Sequence, residues 1–106
     1  MTFDHVATQV PDIATAIAWY RTLFPDAEVL YQDATWAMIV AGGLRLAFVL
    51  PGHHPPHLAW RVPPEELDAL AAERGAEVRE HRDGSRSIYI TGPSGGAIEI
   101  VAFTQV

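Results

Sequence analysis

Residues 3–10 alternate in a period of two. Phe3, His5, Ala7 and Gln9 fall on one face of a strand and Asp4, Val6, Thr8 and Val10 on the other. Pro11 suits the first turn of a helix, where a missing N–H does no harm. Ile13, Ala16, Ile17, Tyr20, Leu23 and Phe24 then recur at spacings of three and four, which predicts a helix that Pro25 ends. Strands are expected over 27–32, 35–41 and 44–50, with Asp33-Ala34 as a turn and Gly42-Gly43 as a hairpin turn. Residues 51–56, Pro-Gly-His-His-Pro-Pro, read as a linker.

The pattern then starts again. A strand is expected over 57–62. Pro63-Pro64-Glu65-Glu66 opens a helix, with carboxylates where its dipole favours them. Leu67, Leu70 and Ala71 form the apolar stripe of that helix, and Gly75 stops it. Ala76-Glu77-Val78 repeats Ala27-Glu28-Val29 as the helix exit. A turn at Arg82-Asp83-Gly84-Ser85, a strand over 86–91, a turn at 92–96 and a strand over 97–103 complete the chain.

The two runs are copies. His57-Leu58-Ala59-Trp60-Arg61-Val62-Pro63 repeats His5-Val6-Ala7-Thr8-Gln9-Val10-Pro11 at an offset of 52 residues. Leu46-Ala47-Phe48-Val49 matches Ile98-Glu99-Ile100-Val101 at the same offset. A repeat this long marks two halves of one domain, not an array of small units. The expected organisation is a single domain, 1–106, with modules over 1–50 and 57–106. Each half reads βαβββ, so the fold class is α+β. One such half leaves a sheet face bare. Two side by side give a cup-shaped mixed sheet with the helices on the outer face. Alternation turns His5, His57, Ala59, Arg61, Tyr89, Glu99, Val101 and Phe103 into the cup.

Composition narrows the partners. An apolar fraction of 49% is that of a globular domain, and there is no apolar run long enough to cross a membrane as a helix. The net charge of −6, with seven scattered arginines and no lysine, argues against nucleic acid. The absence of cysteine removes disulfides, thiolate metal sites and cysteine nucleophiles. Together with the lack of a basic-then-apolar start, it points to a cytoplasmic protein.

The chemistry concentrates on His5, His57 and Glu99. Two imidazoles and one carboxylate facing one space, with coordination positions left open, form the facial triad that suits Fe(II) or another divalent ion such as Mn, Zn, Ni or Co. Each residue alone has a plainer reading. A histidine at a strand start is ordinarily a surface residue, and Glu99 between Ile98 and Ile100 is an ordinary half-exposed strand position. Tyr89 could give a proton to a bound substrate oxygen. Arg45 and Arg61 could bind a substrate carboxylate or phosphate, or make salt bridges. His53 and His54 read as linker, and His81 has no assignable role.

The motifs His5-Val6-Ala7, His57-Leu58-Ala59 and Gly92-Pro93-Ser94-Gly95-Gly96-Ala97-Ile98-Glu99-Ile100, with the stretch Asp12 to Arg21, resemble the vicinal oxygen chelate superfamily. That group includes glyoxalase I, extradiol dioxygenases, methylmalonyl-CoA epimerase, and the fosfomycin and bleomycin resistance proteins. The resemblance implies a metal-dependent enzyme acting on a small oxygen-chelating molecule, and a homodimer in which modules pair across chains. It departs from glyoxalase I at Ala47, where that enzyme carries a further carboxylate. A three-ligand set is that of the dioxygenases and the fosfomycin-modifying transferases, so dioxygenase-like chemistry is favoured over a glyoxalase. A metal-free protein that sequesters a drug-like molecule in the same cup is the rival reading. A dimerising accessory domain is a third.

Overall fold

The computed structural model describes residues 1–103. The end of the second expected module, 104–106, lies outside the described residues. Eight strands and two helices follow one another as β1 (Thr2–Gln9), α1 (Ile13–Leu23), β2 (Glu28–Gln32), β3 (Trp36–Ala41), β4 (Leu44–Val49), β5 (His57–Arg61), α2 (Pro64–Arg74), β6 (Arg79–Glu80), β7 (Arg86–Thr91) and β8 (Ala97–Ala102). The order is βαβββ twice, in an α+β architecture. The chain divides into two compact units: His5–His57, and Met1–Asp4 with the chain from Leu58 on.

In the first unit the strands lie in the order β2-β3-β4-β1. β1 runs parallel to β4, with Val6 opposite Leu46 and Ala7 opposite Ala47. β3 pairs antiparallel with both β4 and β2. Gly42 and Gly43 make the β3–β4 turn at φ 58° and 82°. Two successive positive φ values are what a tight hairpin needs to follow the strand twist. A Cβ on Gly42 would also meet the ring of Phe24 at 3.0 Å. Helix α1 begins at Ile13 with Asp12 as its N-cap, so Pro11 lies before the helix and not in its first turn as the sequence pattern suggests. The Asp12 carboxylate accepts from the Thr15 backbone N–H at 2.9 Å and from the Thr15 hydroxyl at 2.7 Å. A short polar side chain can cap the exposed N–H groups and proline cannot, which is worth about 1 kcal/mol. Ile13 and Ile17 pack against Ala37, Ile39, Leu46 and Phe48 on one sheet face. On the opposite face Ala7, Met38 and Ala47 form a small cluster with Trp36.

The second unit orders its strands β5-β8-β7-β6. β7 and β8 are antiparallel, with Ile88 opposite Ile100 and Tyr89 opposite Glu99. Helix α2 starts on Pro64, carries Glu65 and Glu66 in its first turn, and ends at Gly75 in the left-handed conformation. Leu67 and Ala71 pack on Val62, Ile88, Ile100 and Ala102. The large apolar side chains among them, Leu67, Ile88 and Ile100, contribute roughly 1.5–3 kcal/mol each when fully buried. Two expectations of the repeat and its alternation, a strand directly at the helix exit and Leu58 on the helix side, change here. The exit after Gly75 forms no strand until Arg79–Glu80, so β6 is only two residues long. Leu58 is 40% exposed and Trp60 packs on the helix-side core in its place.

Candidate functional site

The first unit brings His5 and His57 together. His57 opens β5 and is 8% exposed, and His5 on β1 is half-buried. Their rings meet edge to face with centroids 5.5 Å apart. The Nδ1 of His57 lies 2.9 Å from the carbonyl oxygen of Pro55. A carbonyl can only accept, so Nδ1 carries the hydrogen and Nε2 keeps its lone pair. That tautomer is the one a metal-ligating histidine adopts when a backbone carbonyl holds its second nitrogen. The linker therefore supplies the group that orients His57. It is tied back in turn by Gln9, whose side-chain amide donates to the His54 carbonyl at 2.8 Å.

The second unit gathers a polar group on the face of β7 and β8 away from α2. Glu99 is 5% exposed while its neighbours Ile98 and Ile100 join the helix-side core. The Tyr89 hydroxyl donates to Glu99 Oε2 at 3.2 Å. Burial of the phenol, then the negative charge of Glu99 and this hydrogen bond, push the Tyr89 hydroxyl up to about 12, so it stays protonated at neutral pH. His81 was without a role in the sequence. Its Nε2 lies 2.7 Å from the hydroxyl of Ser87, which is fully buried, and 3.6 Å from Glu99 Oε2. The signal for it was the turn. His81 N–H donates to the Ser85 carbonyl and Gly84 N–H to the His81 carbonyl, so the Asp83-Gly84 turn folds His81 back beside β7.

Of the two candidate arginines, Arg61 is committed to an ion pair. Arg61 makes a salt bridge to Asp4, with Nη2 at 2.7 Å and Nε at 3.2 Å from Oδ1, and its guanidinium sits 4.4 Å over the Phe103 ring. Asp4 is 4% exposed, so Arg61 neutralises a buried carboxylate. Arg45 is half-buried on β4, opposite Val40. Ala47 is buried in its apolar cluster and provides no ligand atom. Among the described residues no helix is long and apolar enough to cross a membrane.

No protein-family model and no curated protein sequence matches the chain. Solved structures do. Methylmalonyl-CoA epimerase from Streptomyces coelicolor is similar over 100% of this chain and 96% of its own, with a TM-score of 0.72 and 20% identity. A glyoxalase/bleomycin resistance protein/dioxygenase superfamily member from Vibrio splendidus 12B01 covers 95% of this chain and 99% of its own, at a TM-score of 0.68 and 12% identity. The chain has the vicinal oxygen chelate fold. Homoprotocatechuate 2,3-dioxygenase from Brevibacterium fuscum carries it too, matching 99% of this chain with 33% of its own, at a TM-score of 0.69 and 18% identity. An epimerase and a dioxygenase thus share the vicinal oxygen chelate fold with this chain. At such identities the likeness fixes the architecture and leaves the reaction to the site.

Proposed function

We propose that His5, His57 and Glu99 together hold one divalent first-row metal ion, and that the protein is a metal-dependent enzyme acting on a small molecule with neighbouring oxygen atoms. The observation that carries this reading is the pair of repeat-equivalent histidines, ring against ring, with His57 Nδ1 committed to the Pro55 carbonyl. A buried carboxylate on β8 fits the same purpose, since it supplies negative charge that a dication offsets. When bound, the ion acts as a Lewis acid that polarises substrate oxygens. The chain's own contribution is to fix the histidine tautomer and keep Glu99 away from bulk water. Ala47 among apolar neighbours supports a three-ligand set, and so favours dioxygenase-like over glyoxalase-like chemistry. Arg45, half-buried on β4, is the residue we assign to a substrate carboxylate or phosphate. We read the protein as a cytoplasmic homodimer. Exposed Trp19 and Leu23, one turn apart on α1, are apolar surface that pairing would cover.

Metal analysis tests the reading. Protein purified without chelator or affinity metal, then reconstituted with Fe(II), Mn(II), Zn(II), Ni(II) or Co(II), is expected to hold one ion per chain, and His57→Ala to lose it. A wild type that stays metal-free with all five ions would instead favour a metal-free binding protein. A monomeric mass at micromolar concentration would count against the dimer.

A further inference from the structure

We propose that Tyr89 is a positioning residue that restricts Glu99 to ligation through Oε1 alone. The inference rests on the metal site proposed above. A phenol has one proton, and Tyr89 donates it to Glu99 Oε2, 3.2 Å away. From the other side His81 Nε2 stands 3.6 Å from the same oxygen, too long for a hydrogen bond but close enough to restrict its movement. Ser87, itself fully buried, anchors His81 at 2.7 Å.

Both groups therefore converge on one carboxylate oxygen, Tyr89 from β7 and His81 from the turn before it. A glutamate with both oxygens available can bind an ion through two atoms. One whose Oε2 is held by a phenol binds through one, which leaves a further coordination position to substrate. Register fixes the arrangement. Tyr89 and Glu99 are direct partners across β7 and β8, so the hydroxyl reaches the carboxylate without any loop rearrangement.

Co(II) titration of wild type, Tyr89→Phe and His81→Ala tests the inference, read by affinity and by the visible d–d bands, which report coordination number. Tyr89→Phe keeps the ring and removes the hydroxyl with its hydrogen bonds to Glu99 and Ser87. It is expected to weaken Co(II) binding about 10–100-fold, the range seen when a group orienting a metal ligand is lost. Its d–d bands should shift toward a higher coordination number, while the melting temperature of the metal-free form stays close to wild type. His81→Ala should shift the bands in the same direction, and His81→Gln, which retains a donor near the Nε2 position, should restore them. Tyr89→Phe with wild-type affinity and wild-type bands would overturn the inference and leave the metal site standing. A wild type that binds no Co(II) would remove the metal site and this inference with it.

Discussion

Tyr89 and Glu99 face each other across a register pair of β7 and β8 and share a hydrogen bond at 3.2 Å. The pair changes what Glu99 does for the fold. An unpartnered buried carboxylate adds little stability, but this one holds a phenol that has itself left water.

That pairing sets an alkaline limit. The Tyr89 hydroxyl is raised to about 12 in the folded chain, above the value of about 10 for a free tyrosine. A group whose folded value is raised contributes stability that is complete below about pH 10 and fades as pH rises toward 12. Ultraviolet titration of the metal-free protein, wild type minus Tyr89→Phe, should give a phenolate midpoint near 12. A midpoint near 10 would contradict the burial described here.

The acid limit comes from two matched turns. Asp33 Oδ1 accepts from the Thr35 N–H and hydroxyl, and Asp83 Oδ1 from the Ser85 N–H and hydroxyl. The Tyr31 hydroxyl and the Thr35 and Trp36 backbone hold the Asp33 carboxyl far below its usual range, and Ser85 lowers that of Asp83. Lowered folded values give stability that is present above about pH 4 and lost as pH falls through the folded values. The melting temperature should drop on acidification below pH ~4. Asp33→Asn and Asp83→Asn should each lower it at pH ~7 and flatten that acid slope. Unchanged slopes in both variants would show that other carboxylates govern acid unfolding.

Ala47 offers a site-directed test of the ligand count. It is buried beside Ala7, Met38 and Trp36. Ala47→Glu should destabilise the metal-free protein by at least the ~1–3 kcal/mol of an overpacked core. If the new carboxylate reaches the ion, Ni(II) or Zn(II) should raise the melting temperature of Ala47→Glu more than that of wild type. Equal metal-induced shifts would mean that position 47 does not face the ion.

The second core has one large anchor on its helix. Leu67 is 0% exposed and packs against Ile88 and Ile100. Leu67→Ala should cost about 2–5 kcal/mol in denaturant unfolding. A loss below about 1 kcal/mol would mean that α2 adjusts to fill the cavity.

Much of this was legible in the residues, for reasons that differ by element. The alternation in β8 sorts Ile98, Ile100 and Ala102 from Glu99 because a strand has a period of two and only one face meets a helix. Gly42-Gly43 and Gly75 were readable because only glycine takes those backbone angles cheaply. Contacts set by distance along the chain were not. The Arg61–Asp4 salt bridge joins residues 57 apart, and alternation names no partner for either. His81 gained its neighbours from a turn whose exact register no pattern specified. Asp12 displaced Pro11 because capping depends on a side chain reaching back to Thr15, which periodicity does not report.

The parallel pairing of β1 on β4 bears on the order of assembly. The β3–β4 and β7–β8 ladders close over short turns, whereas Val6 must find Leu46 across forty positions of chain. Loop-closure entropy makes such distant, parallel contacts the slow ones. His5 rides on β1, so its imidazole reaches His57 only when this strand docks. If the proposed site binds an ion, uptake during refolding should appear with the slow phase, after the hairpins have formed.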